Sequence, residues 1–122
     1  MMSVELNHAI VWASHREVSA GFLARILGIP VGPAAGPFQQ VQVANGVTLD
    51  FANADEVHPQ HYAFLVGDDE FDAAMARLEG SGATYWADPL HRQPGEINHM
   101  SGGRGVYFAD PDGHNMELLT RA

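Results

Sequence analysis

Laid over itself with an offset of 53 residues, the chain matches HAIVWASHRE, beginning at His8, to HYAFLVGDDE, beginning at His61. Both stretches open on a histidine, continue as a short apolar segment of strand character and run into a helix start. A chain with such an internal repeat is expected to fold as two copies of one supersecondary unit, and the unit's pattern fixes where the remaining residues fall.

Within each unit the strand hands over to a helix. Ser14, with Glu17 three residues on, has the form of a capping box, and Asp68 and Asp69 offer N-cap oxygens at the corresponding place in the second copy. Val18, Phe22, Ile26, Leu23 and Leu27 recur at three- and four-residue spacing, as do Phe71, Ala74, Met75 and Leu78, giving each helix one apolar face. Gly28 and the stretch from Gly80 to Gly82 supply permissive backbone for the helix ends. Strand-like pieces follow near 29–32, 38–44 and 47–53, with Asn45-Gly46 marking a tight hairpin. In the second copy ATYW, GVYFA and HNMELLT take those places, the last two joined by the turn Asp110-Pro111-Asp112-Gly113.

The predicted order is strand, helix, strand, strand, strand, twice. That is an α+β fold of two βαβββ modules, at about 4–54 and about 59–121, in one domain spanning 1–122. A unit of roughly 55 residues is marginal alone, so the two are expected to share a core or pack as a pair.

Composition narrows the partners. The net charge is −9, and the chain has six Arg, no Lys and 15 Asp and Glu, so a phosphate backbone meets repulsion and nucleic acid is not expected. No apolar run is long enough for a bilayer and no secretory signal opens the chain, so no membrane partner and a cytoplasmic location are expected. Without Cys, any metal must be held by imidazole and carboxylate.

The repeat also aligns chemistry. Strand alternation puts Leu6, His8, Ile10 and Trp12 on one face, read as inward, and the register matches His8 with His61 and Asp50 in TLDF with Glu117 in MELL. If a pseudo-twofold axis relates the modules, equivalent residues near it converge. Two imidazoles and a carboxylate suit Zn, Ni, Mn, Co or Fe and leave coordination positions for a substrate, while Asp50 stands either as a ligand or just outside the ligand set.

LNHAIVWASHREVSAGFLARILG, HYAFLVGDDEFDAAMARLEGSGA and, most specifically, GRGVYFADPDGHNMELL together resemble the vicinal oxygen chelate superfamily. Its members include glyoxalase I, bleomycin-resistance proteins, fosfomycin-resistance transferases and extradiol dioxygenases. The resemblance covers nearly the whole chain. It implies paired βαβββ modules whose mixed sheet curls around a metal cleft, usually in a homodimer, with His8, His61 and Glu117 as the two-His, one-Glu ligand set. Asp50 falls where glyoxalase I has a fourth ligand, normally Glu, and the Lys-bearing anion-binding stretch of the fosfomycin transferases has no counterpart.

Alternation places Gln40, Gln42, Thr48 and Tyr107 as candidates for the ligand-bearing face, beside Trp12 and Trp86. The insert between Trp86 and Arg104, ADPLHRQPGEINHMSGG, reads as an ordered loop carrying His91, Arg92, Glu96, Asn98 and His99. It is expected to cap the cleft, with Arg92 or Arg104 meeting an anionic or carbonyl group of a small-molecule substrate and His99 beside it. The first functional expectation is a metal-dependent lyase or isomerase of the glyoxalase kind, with Glu117 as ligand and candidate base and Asp50 or Glu96 as the alternative base. The second is oxygen-dependent ring cleavage. The third is an antibiotic-sequestering protein, for which the acidity and Trp12, Phe38, Phe51 and Trp86 are suited.

Overall fold

The computed structural model describes residues 3–122. The first module contains β1 (His8–Ala13), α1 (Arg16–Leu27), β2 (Ala34–Ala35), β3 (Phe38–Gln42) and β4 (Thr48–Asn53). The second repeats the pattern with β5 (His61–Leu65), α2 (Asp68–Ser81), β6 (Tyr85–Trp86), β7 (Gly105–Ala109) and β8 (Asn115–Leu119), plus a 3-10 turn at Met100–Gly102 in the insert. Strand order is β1-β4-β3-β2 in one sheet and β5-β8-β7-β6 in the other, so the repeat holds at the level of topology. In each module the first and last strands run parallel and all other pairs are antiparallel. The two expected βαβββ modules thus form two four-stranded mixed sheets, not closed into a barrel.

One apolar core joins the modules. Val11, Leu23 and Phe51 from the first pack in the same buried cluster as Phe71, Phe108 and Leu118 from the second. Phe22 meets Phe108 across the boundary with ring centroids 6.1 Å apart. Both helices lie on the core side of the sheets, and α1 packs on α2. Among the described residues no helix is long and apolar enough to cross a membrane.

The helix starts differ from expectation. His15 is the N-cap of α1 and makes no side-chain capping bond, while the N–H of Arg16 donates to Asn53 Oδ1 at 2.8 Å. Ser14 is taken by the other module instead: its N–H donates to both Asp112 carboxylate oxygens at 3.1 Å and its hydroxyl also bonds Asp112. In α2 the N-cap is Gly67, and Asp68, Asp69 and Glu70 occupy the first turn, where carboxylates meet the positive end of the helix dipole. Val18 is exposed rather than part of the apolar face. The helix ends follow the sequence reading: Gly28 closes α1 at φ 72° and Gly82 closes α2 at φ 74°.

The segment 29–32 is not a strand. Pro30 and Pro33 remove two ladder donors, and the short edge strand forms two residues later, at Ala34–Ala35. The turn at residues 110–113 closes as expected, with the N–H of Asp110 donating to the His114 carbonyl at 3.1 Å. His114, fully buried, accepts from the N–H of Gln60 at Nδ1 (2.9 Å) and so carries its hydrogen on Nε2, which donates to the Trp12 carbonyl at 2.8 Å. That turn therefore fastens the second module to the end of β1.

Candidate functional site

Each sheet has one face against the helices and one face open. In β1, Val11 and Ala13 are fully buried while His8, Ile10 and Trp12 are exposed. The inward position expected for His8 is thus on the open face, because a single helix layer covers only the other side of the sheet. Pairing extends that face across the module. His8 stands opposite Thr48 and Ile10 opposite Asp50, while Gln40 pairs with Asp50 and Gln42 with Thr48. The candidates His8, Trp12, Gln40, Gln42, Thr48 and Asp50 therefore share one surface. Asp50 is only 7% exposed there, and Gln40 Nε2 donates to its Oδ1 at 3.1 Å.

The open face of the second sheet is built the same way. His61 lies on the edge strand β5, Glu117 on the central strand β8, Tyr107 opposite Glu117 on β7 and Trp86 opposite Tyr107 on β6. His61 Nε2 is 2.9 Å from Glu117 Oε1; the imidazole is half exposed, the carboxylate almost covered. Tyr107 packs its ring 5.8 Å from that of His61. Burial and the nearby charge of Glu117 push the Tyr107 hydroxyl up to about 12, so it stays protonated at neutral pH.

An imidazole nitrogen and a carboxylate oxygen this close are both donors toward a proton or a cation, and His61 keeps the pair open to solvent. His61 and Glu117 are therefore fit to hold a divalent metal in part. Among the described residues no three His, Asp or Glu side chains of one chain come together, so one chain does not gather His8 with His61 and Glu117. A groove of about 470 Å³ separates the two sheets at their edge strands, with Ala9 and Leu49 on one side, Tyr62 and Phe64 on the other, and His61 among its lining residues.

Of the residues expected in the insert, His91 is the one that reaches the open face. Arg104 is turned to the outside: it donates to Asp72 at 2.6 Å and Asp68 at 3.1 Å and lies over the Phe71 ring, tying the start of β7 to α2. Arg92 takes part through its backbone N–H, which donates to Asp88 Oδ1 at 2.8 Å, and no hydrogen bond or ion pair joins Arg92, Glu96 or His99 to the His61–Glu117 pair. Asn98 is structural, its Nδ2 donating to the Ala87 carbonyl at 2.7 Å. Burial alone would raise Asp88, but the N–H groups of Arg92 and Gln93 hold its carboxyl below the usual range. The residue that touches the site is His91, stacked on Trp86 and 2.9 Å from Asn115 Oδ1. Asn115 went unremarked in the sequence, although it lies two residues before Glu117 on one strand and so shares its face.

Comparison with known proteins agrees with this architecture. A family model described as a glyoxalase-like domain matches residues 8–119. The glutathione transferase FosA of Serratia marcescens is 31% identical over 124 residues, covering 96% of this chain and 81% of that protein. The solved structure of oxidase ChaP-H2 superposes with a TM-score of 0.97 at 56% identity, covering 99% of this chain and 96% of that one. Oxidase ChaP-H1 does so with a TM-score of 0.95 at 57% identity, covering 98% of each chain.

Proposed function

The chain belongs to the glyoxalase-like domain family of the vicinal oxygen chelate superfamily, and from that premise we propose that it is a metal-dependent oxidase whose site is completed between two copies of the chain. The observation that carries the reading is the His61–Glu117 pair, nitrogen to oxygen 2.9 Å, held on an open sheet face beside a protonated tyrosine.

The third ligand is His8. It occupies the equivalent place on the open face of the other sheet, and both faces expose large apolar side chains, Trp12 at 48% and Leu65 at 66%. A sheet face of that kind is normally covered. A second copy laid with its first sheet over the second sheet of its mate covers both faces and brings one His8 to each His61–Glu117 pair. A twofold arrangement makes two such sites at once, which is the economy of an isologous dimer.

When bound, a divalent ion held by two imidazoles and a carboxylate supplies Lewis acidity toward neighbouring substrate oxygens and, as Fe(II), the redox chemistry that dioxygen needs. The chain's own residues do the rest. Tyr107, opposite Glu117 on the neighbouring strand, supplies a protonated hydroxyl to orient that carboxylate. Asp50, oriented by Gln40, is the carboxylate available on the facing sheet to take a proton from a substrate hydroxyl. Thr48 and Gln42 extend the polar floor, and Trp12 and Trp86 supply its apolar margins.

Oxidation is preferred to lyase or isomerase chemistry because two oxidases match this chain at 56% and 57% identity. Glutathione transfer to an anionic substrate, a second reading suggested by the transferase relative, is less well served: the chain has no Lys, and Arg104 is already committed to Asp68 and Asp72. The test is oxygen uptake by protein purified without a metal-affinity tag and loaded with Fe(II), over a panel of catechols, hydroquinones and hemithioacetals. Uptake with a vicinal-dioxygen substrate, lost in His61→Ala, is expected; product formation from hemithioacetals without oxygen uptake would return the reading to isomerase chemistry.

A further inference from the structure

His91 has φ 59°, a left-handed backbone conformation that glycine adopts freely and other residues rarely. Its side chain has contacts to hold it there. The ring lies flat on Trp86, centroids 3.7 Å apart and planes 4° from parallel. Asn115 Nδ2 donates to the Pro89 carbonyl at 3.1 Å, so the atom it turns to the imidazole is Oδ1, and His91 Nε2–H donates to it at 2.9 Å.

Strand register says what these contacts cross. Trp86 is opposite Tyr107, Tyr107 is opposite Glu117, and Asn115, on the face of Glu117, is opposite His61. The tip of the insert thus reaches from β6 to β8 over the open face of the second sheet. On β7 the register position opposite Asn115 is Ala109, whose methyl leaves room. The tip is also fixed from within: Asp88 accepts from the N–H groups of Arg92 and Gln93 at 2.8 Å, and the N–H of Ala87 donates to the Gln93 carbonyl at 3.1 Å.

We propose that His91 is a positioning residue, latching the insert across the sheet so that the imidazole–indole stack forms a fixed wall beside His61 and Glu117, against which a planar ligand chelated there packs its ring. This rests on the metal-site reading above and adds the shape of what the site accepts: a flat compound with vicinal oxygens in preference to a small acyclic one. A mobile insert would offer the same side chains without the fixed surface, and the gain from packing a flat ring depends on that surface being pre-formed.

The experiment uses the Mn(II)-loaded protein and two chelating probes, nitrocatechol and acetohydroxamate. His91→Gly relieves the backbone while removing the latch; Asn115→Ala removes the latch from the other side and leaves the backbone at 91 untouched. In both variants Mn(II) affinity is expected to stay within about twofold, nitrocatechol affinity to fall about tenfold, acetohydroxamate affinity to stay within about twofold, and hydrogen exchange of the amides at 87–93 to accelerate. Equal losses for both probes, or none, would overturn the wall while leaving the metal site standing. A wild-type protein that binds no Mn(II), Fe(II), Zn(II), Ni(II) or Co(II) would instead overturn the metal-site reading, and this inference with it.

Discussion

Tyr107 stands opposite Glu117 across the β7–β8 ladder, and the carboxylate's charge adds to burial in raising the tyrosine's pKa. The tyrosine is not itself a proposed ligand; it stands beside one. Replacing it with phenylalanine keeps the ring packing against His61 and removes only the hydroxyl that faces Glu117 across the ladder. Partners of this kind typically govern metal affinity by about ten- to a hundredfold. Tyr107→Phe is expected to weaken Mn(II) binding by about tenfold, read by calorimetric titration, with the thermal midpoint little changed.

The acid side of the stability profile depends on Asp112. Burial would raise its pKa, but the Ser14 hydroxyl and N–H and the Ser19 hydroxyl outweigh that and hold it below the ordinary carboxylate value of 3.8. A depressed folded pKa gives stability that is fully present above the unfolded value and is lost as pH falls through the folded one. Asp110, raised mainly by its burial, works in the opposite sense: its penalty at neutral pH is relieved as it protonates. Comparing wild type with Asp112→Asn isolates the first effect. At pH 7 the variant is expected to be less stable by about 1 kcal/mol in urea unfolding, with the gap closing as the pH falls below the ordinary carboxylate value and through the depressed folded one.

Arg104 separates a structural cation from a substrate-binding one. With its guanidinium on Asp68 and Asp72 and over Phe71, Arg104→Ala should lower the thermal midpoint while leaving Mn(II) and nitrocatechol affinities unchanged. A selective loss of probe binding would restore Arg104 to the cleft.

Leu65 lies on the open face of the second sheet, on the same strand as His61. If a second copy covers that face, Leu65→Glu buries a charge in the interface, and sedimentation should find the variant as a monomer at concentrations where wild type is a dimer. Its metal content should fall with it, although no proposed ligand has been altered.

The repeat was legible because it is local: a histidine heads the same element twice, and period-two alternation carries Gln40, Asp50, Tyr107 and Glu117 to their faces without tertiary information. What was not legible depends on distant parts of the chain. Ser14 looks like a cap until Asp112, from the other module, takes its hydroxyl and N–H. The apolar company of His8 suggested a core face, yet Ile10 and Trp12 are exposed in a single chain, since hydropathy marks a surface for covering without saying what covers it. The insert looked functional from its composition, but only the backbone at His91 determines which of its side chains meets the sheet.

The claim that the site is shared between copies is tested most directly by mixing two defective variants. His8→Ala and His61→Ala each remove one proposed ligand from every site of their own dimer. In a mixed dimer one site keeps both histidines and the other loses both. Unfolding and refolding equal amounts together should therefore restore about a quarter of the wild-type Mn(II) binding, where neither variant alone binds appreciably. Metal content that stays at the level of the separate variants, or a His8→Ala protein that binds Mn(II) as wild type does, would contradict it.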